Sequence, residues 1–128
     1  MELSNAKNMF RQQKGAIKDG FKCFALPESL KETFDEIAFR EKFKKGAFLE
    51  DALRQATFQK RYPAKEHERW IHTSAILSPE ASEEWRNKAH YAKVSERQYL
   101  AGVLYDQLRE EFGEKHPDMF NNNASEND

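Results

Sequence analysis

The run Phe21-Lys22-Cys23-Phe24-Ala25-Leu26 is rich in aromatic and apolar residues and is stopped by Pro27, which reads as one short strand. No other constraint in the chain is as severe, because a lone strand leaves backbone N–H and C=O groups unpaired along both edges. Residues 64–77 do not settle the matter: Trp70-Ile71 and Ala75-Ile76-Leu77 suit a short helix or an extended stretch equally. With no second convincing strand, the partner is expected to be the same strand of a second copy, paired antiparallel about a two-fold axis. The mean hydropathy of -0.96 in a 15.1 kDa chain points the same way, since a core shared between two copies compensates for a thin one.

The rest of the chain reads as helical. Pro27-Glu28 suit a first turn, where the missing proline N–H costs nothing and a carboxylate meets the positive end of the helix dipole. Leu30, Phe34, Ile37 and Ala38 then share one face, predicting a helix from about Pro27 to Glu41. Lys42-Phe43-Lys44-Lys45-Gly46 interrupts that stripe as a turn. A second helix carrying Leu49, Ala52, Leu53 and Ala56 fades near Tyr62-Pro63, where proline disfavours helical geometry before it. Ser78-Pro79-Glu80 starts a third helix with Ala81, Trp85, Ala89 and Ala92 on its buried face. Ser95 and Gln98 fit a capping box for a fourth, striped by Leu100, Val103, Leu104, Leu108 and Phe112 as far as Gly113. No repeat period is evident. The expected organisation is a basic leader over 1–19, a strand–helix–helix domain over 20–62, an acidic helical extension over 63–117 and a disordered polar tail over 118–128.

A formal net charge of -1 conceals an asymmetry, because residues 1–65 carry +5 and residues 66–128 carry -6. Within the leader, Lys7, Arg11, Lys14 and Lys18 face few acids, which suits an anionic partner. The acidic half makes a poor DNA face and is assigned to assembly or to a second protein. Cys23, the single cysteine, cannot form an intramolecular disulfide, and no apolar run reaches the roughly 18 residues needed to cross a bilayer. A cytoplasmic protein with no membrane partner is expected. His67, His72, His90 and His116 lack metal-ligand spacing, and the chain has neither a phosphate-binding glycine loop nor a nucleophile elbow. No enzyme, metal or cofactor is therefore expected. Trp70, Trp85, Tyr91, Tyr99 and Tyr105 are too dispersed for a base-stacking platform and are assigned to the core.

The order strand, Leu26-Pro27, helix, basic turn, helix over Gly20 to Phe58 resembles the ribbon-helix-helix family of DNA-binding proteins, the group of the Arc, MetJ and CopG repressors. The resemblance implies a mainly α fold, an intertwined homodimer with one short strand per chain, and a ribbon lying in the DNA major groove. Three alternate side chains of each strand would read base edges, and the start of the second helix would hold a phosphate. Counting back from Leu26-Pro27, the groove-facing positions are Phe21, Cys23 and Ala25, which offer thymine-methyl contacts and shape. Hydrophobic alternation alone would instead bury Phe21 and Cys23 and put Lys22 outside, a one-residue shift. In either register Lys22 lies near enough to the ribbon edge to reach a phosphate. Lys44, Lys45, Gly46 and Ala47 would form the phosphate clamp, though the usual Ser or Thr cap after glycine is missing, and Lys18 would follow the backbone. Phe24, Leu26, Leu30, Phe34, Ile37, Leu49 and Leu53 would close the dimer core. The implied function is a sequence-specific transcriptional regulator of a plasmid or other mobile element, forming a homodimer or a higher oligomer on double-stranded DNA. A conjugation relaxosome accessory, an antitoxin-type DNA binder or a purely helical adaptor protein are the alternatives.

Overall fold

A computed structural model describes residues 21–120 of the chain. The predicted basic leader and the polar end beyond residue 120 lie outside the described residues. The elements run β1 (Phe21–Pro27), α1 (Glu28–Glu41), α2 (Lys45–Gln55), β2 (Trp70–Ile76), α3 (Pro79–Ala92), α4 (Glu96–Phe112) and a short 3-10 turn (Pro117–Met119). The fold is mainly helical, with one two-stranded antiparallel sheet. Phe120, assigned to the tail from sequence, is buried against Tyr105, with ring centroids 5.8 Å apart.

β1 is not alone. Its partner is β2 of the same chain, in the register Phe21 to Ile76 through Pro27 to Trp70. The expectation of a single strand completed by a second copy is thus corrected, and the ambiguous stretch 64–77 resolves as the missing strand. Alternation in Trp70–Ile76 is weak because its inward residues are only half-buried, so neither period stands out in the sequence.

The chain also repeats itself, contrary to the sequence reading. α1 begins at Glu28 and α3 at Pro79; α2 begins at Lys45 and α4 at Glu96; both offsets are 51 residues. At that spacing the buried positions correspond: Leu26 with Leu77, Leu30 with Ala81, Phe34 with Trp85, Ala38 with Ala89, Leu49 with Leu100 and Leu53 with Leu104. Lys42 and Lys93, at the same offset, both adopt left-handed geometry (φ 61° and 63°) just past α1 and α3. Each is followed by a 6→1 backbone bond back into its helix, Phe43 N–H to Ala38 O (3.2 Å) and Val94 N–H to Ala89 O (3.1 Å), so both helices end in the same Schellman-type turn. The ribbon shares the relation, since the paired residues Cys23 and Ser74 are themselves 51 apart. A pseudo-two-fold axis therefore passes through that pair. The period escapes a sequence reading because outside the buried frame and the two left-handed lysines little of it repeats.

The residues assigned to a dimer core are buried within one chain. Phe24, Leu26, Leu30, Phe34, Ile37, Leu49 and Leu53 share a single cluster with Trp85, Tyr99, Leu100, Val103, Leu104 and Leu108, so the core is continuous across the 20–62 and 63–117 segments. α4 is its centre, with every residue from Tyr99 to Tyr105 buried. Tyr91 is the exception among the aromatics placed in the core, being 89% exposed.

Ser78 and Ser95 cap α3 and α4 through Ala81 N–H (3.1 Å) and Gln98 N–H (3.2 Å), as their sequences require. α1 is capped differently. Pro27 offers no side-chain cap, and the N–H groups of Glu28 and Ser29 are taken by Arg69 O and the Glu68 carboxylate. α2 stops at Gln55, short of the expected Tyr62, because the Lys88 ammonium of α3 occupies the carbonyls of Leu53 (3.0 Å) and Arg54 (3.5 Å). The following segment then crosses α4, with Phe58 stacked on Tyr99 at 5.3 Å.

Gly102 makes that crossing possible. A Cβ there would stand 2.5 Å from Lys60 O and 2.8 Å from the Phe58 ring. Gly102→Ala is expected to lose about 1–3 kcal/mol, read as a lower urea midpoint at unchanged m-value; an unaltered midpoint would show that the linker is not seated on α4.

A latch joins the two halves at the far end of α1. His116 Nε2–H donates to Glu41 (2.7 Å) and Lys115 donates to its other oxygen (3.0 Å). These bonds hold the Glu41 carboxyl below the usual glutamate range. A depressed carboxylate stabilises the fold above its unfolded pKa and stops doing so as pH falls through the folded value. Glu41→Gln is therefore expected to flatten the acid-side decline of stability, measured by urea melts from neutral pH downward; a wild-type decline in the variant would remove the latch from the account.

Candidate nucleic-acid interface

Alternation along the ribbon gives its two faces different tasks. Phe24 and Leu26 point into the core, where Phe24 meets Trp85 edge-on at 5.8 Å. Cys23 is exposed on the opposite face, and from β2 so are His72, Ser74 and Ile76. The cross-strand pairs on that face are Cys23 with Ser74, Ala25 with His72, and Phe21 with Ile76 in backbone register. It is a polar patch of a thiol, a hydroxyl and an imidazole beside the exposed butyl side chain of Ile76.

Two expected readers are displaced. Ala25 is only 6% exposed, and His72 across the ribbon presents the accessible group at that level. Lys22 does not reach outward; its ammonium lies 3.5 Å from Glu96 and 5.1 Å from the Trp85 ring centroid, an ion pair and a cation–π contact that hold it against the protein. Lys18 lies outside the described residues.

The start of α2 borders the β2 side of the ribbon. A Cβ on Gly46 would be 3.4 Å from Ile76 O and 3.9 Å from Ala75 Cβ, ordinary van der Waals distances, so this position lies beside β2 but has room for a side chain and does not require glycine. It lies in the first turn of α2; the turn itself is made by Lys42-Phe43-Lys44. Phe43 anchors that turn, stacked at 4.8 Å on Phe48 and 5.7 Å on Phe112. Lys44 occupies the cap position without a side-chain cap bond, which leaves the first N–H groups of α2 free of protein partners among the described residues. Lys44 and Ala47 are exposed, and Lys44 has no ion pair among the described residues. Lys45 is engaged, 2.7 Å from Asp35, which Lys31 also reaches at 2.7 Å. Partial burial pushes the Asp35 carboxyl up, and the hydrogen bonds and charges of Lys31 and Lys45 outweigh it, leaving it below the usual range.

The corresponding flank beside β1 is the start of α4. Ser95 caps it, Glu96 is held by Lys22 and lies 4.0 Å from Arg86, and the exposed Arg97 stacks its guanidinium on Trp70 at 4.6 Å. Sequence reasoning missed His72, Ser74, Ile76 and Arg97. The signal that finds them is the 51-residue offset, which carries Phe21, Cys23, Ala25 and Gly46 onto these four positions.

Among the described residues no three His, Cys, Asp or Glu side chains are grouped to hold a metal ion, and no helix is long and apolar enough to cross a membrane. Compared with known proteins, the chain matches no family model, no curated sequence and no solved structure.

Exposure of Cys23 at the centre of the ribbon is directly measurable. A maleimide is expected to label it in the native protein at close to the rate for the urea-unfolded chain, scored by intact mass; strong native protection would place the thiol inside.

Proposed function

We propose that the protein is a sequence-specific double-stranded DNA-binding protein of the transcriptional-regulator type, reading the major groove with the outer face of the β1–β2 ribbon. The observation that carries this is the ribbon itself: a two-stranded antiparallel element whose inner face builds the core and whose outer face is left to solvent, of a width that the major groove admits. The open start of α2 with Lys44, and Arg97 at the start of α4, stand on its two sides as phosphate contacts. The strand–helix–helix order over residues 21–55, which resembles the ribbon-helix-helix proteins, recurs over residues 70–112. A regulator, a relaxosome accessory and an antitoxin-type binder share this chemistry and differ in what else the protein touches.

Duplex binding is expected to weaken steeply with salt, because each neutralised phosphate releases counterions and contributes about -0.9 to the slope of log affinity against log salt. The double variant Lys44→Glu, Arg97→Glu is expected to weaken binding about equally for all sequences and to make that slope shallower by about 2, with an unchanged melting curve as the control. Duplex affinity that ignored both salt and this variant would refute the reading, and a folded protein with no duplex affinity would favour a protein-binding adaptor.

A further inference from the structure

We propose that one chain is the complete DNA-reading unit and that its site is a duplex without dyad symmetry, the two strands of the ribbon reading unlike half-sites. This rests on the DNA-binding reading above and adds to it the class of sequence recognised and the copy number that recognises it.

A ribbon made by two identical chains carries the same residue at equivalent positions on either side of its axis, and so suits a palindrome. Here both strands belong to one chain and the equivalents differ. Cys23 corresponds to Ser74, so a weak thiol donor faces a hydroxyl that both donates and accepts. Ala25, buried, corresponds to Ile76, which is 62% exposed. His72, an exposed imidazole with donor and acceptor nitrogens, occupies the position equivalent to Phe21. The hydrogen-bonding readers Ser74 and His72 therefore both lie on β2.

The flanks are unlike in the same sense. Among the described residues the start of α2 offers N–H groups without a side-chain cap and Lys44 without an ion pair, whereas the start of α4 is closed by Ser95 and carries the Glu96 carboxylate among its cations. One flank attracts a phosphate more strongly than the other, which fixes the direction in which the chain sits on the duplex. Among the described residues the ribbon and the core are built without a second copy: β1 and β2 pair their facing edges along seven residue pairs, and the residues that a dimer would share are buried within the chain.

The test is selection of duplexes from a random library by the full chain, followed by native mass spectrometry of the enriched complex and sedimentation of the free protein. The expected result is a motif without dyad symmetry, a smallest complex of one chain per duplex, and a free monomer. His72→Ala is expected to relax base preference by about tenfold on one side of the motif while leaving the other side and the salt slope as in the wild type. A palindromic motif, a smallest complex containing two chains, or salt-sensitive binding that enriches no motif overturns this inference and leaves the DNA-binding reading standing. Absence of salt-sensitive duplex binding by the folded protein overturns both.

Discussion

The pairing of β1 with β2 is the interaction on which the remainder of the structure depends. Seven residue pairs satisfy the facing backbone groups of two strands that neither half could keep in water alone. The pairing also sets where everything else goes. With Cys23 opposite Ser74, Phe24 and Leu26 face inward onto Trp85 and the α4 side chains, and α1 and α3 leave the ribbon from equivalent ends. A slip of one residue would turn Phe24 and Leu26 to solvent and bring Cys23 and Ser74 into the core, a register that the buried face forbids.

Bringing β2 to β1 requires a connection from Ala56 to Arg69, and that connection is held rather than loose. Phe58 stacks on Tyr99, Tyr62 shares a hydrogen bond with Ser29 at 2.6 Å, and Glu68 with Arg69 O caps the start of α1. The closure entropy of such a connection grows only slowly with its length, so a few anchors suffice. Those anchors explain why Gly102 and the lack of a side-chain cap at Pro27 are tolerated: each is one side of a contact made by the linker.

Above the repeated frame, the two halves diverge where divergence serves packing. Ile37, buried in α1, corresponds to Lys88 in α3, and Lys88 ends α2 by taking its last carbonyls. α2 is accordingly short, while α4 runs on until Phe112 stacks against Phe43 and Lys115 and His116 reach Glu41. The two halves are thus tied at the ribbon and again at the far end of α1. The outer ribbon face takes no part in these contacts, so its side chains are free to differ without cost to the core, and they do.

The sequence by itself determined the helices and, apart from the end of α2, where they begin and stop, because spacing and capping are local. The stripe Leu30, Phe34, Ile37, Ala38 and the caps Ser78 and Ser95 each act within a few residues of themselves, and β1 announces itself by its aromatic run and Pro27. The inward position of Phe24 and Leu26 was one of two registers the run allowed, since its hydrophobic alternation alone would have buried Phe21 and Cys23 instead. What only the tertiary structure decided was non-local. Trp70–Ile76 becomes a strand because β1 offers an edge, α2 stops because a lysine 33 residues beyond Gln55 binds its end, and Lys22 does not reach outward because Trp85 and Glu96 come to meet it. A lone strand in the sequence demanded a partner; whether that partner lay in another chain or 49 residues along this one, from Phe21 to Trp70, was a question of folded geometry, since backbone hydrogen bonds carry no mark of the residue that supplies them.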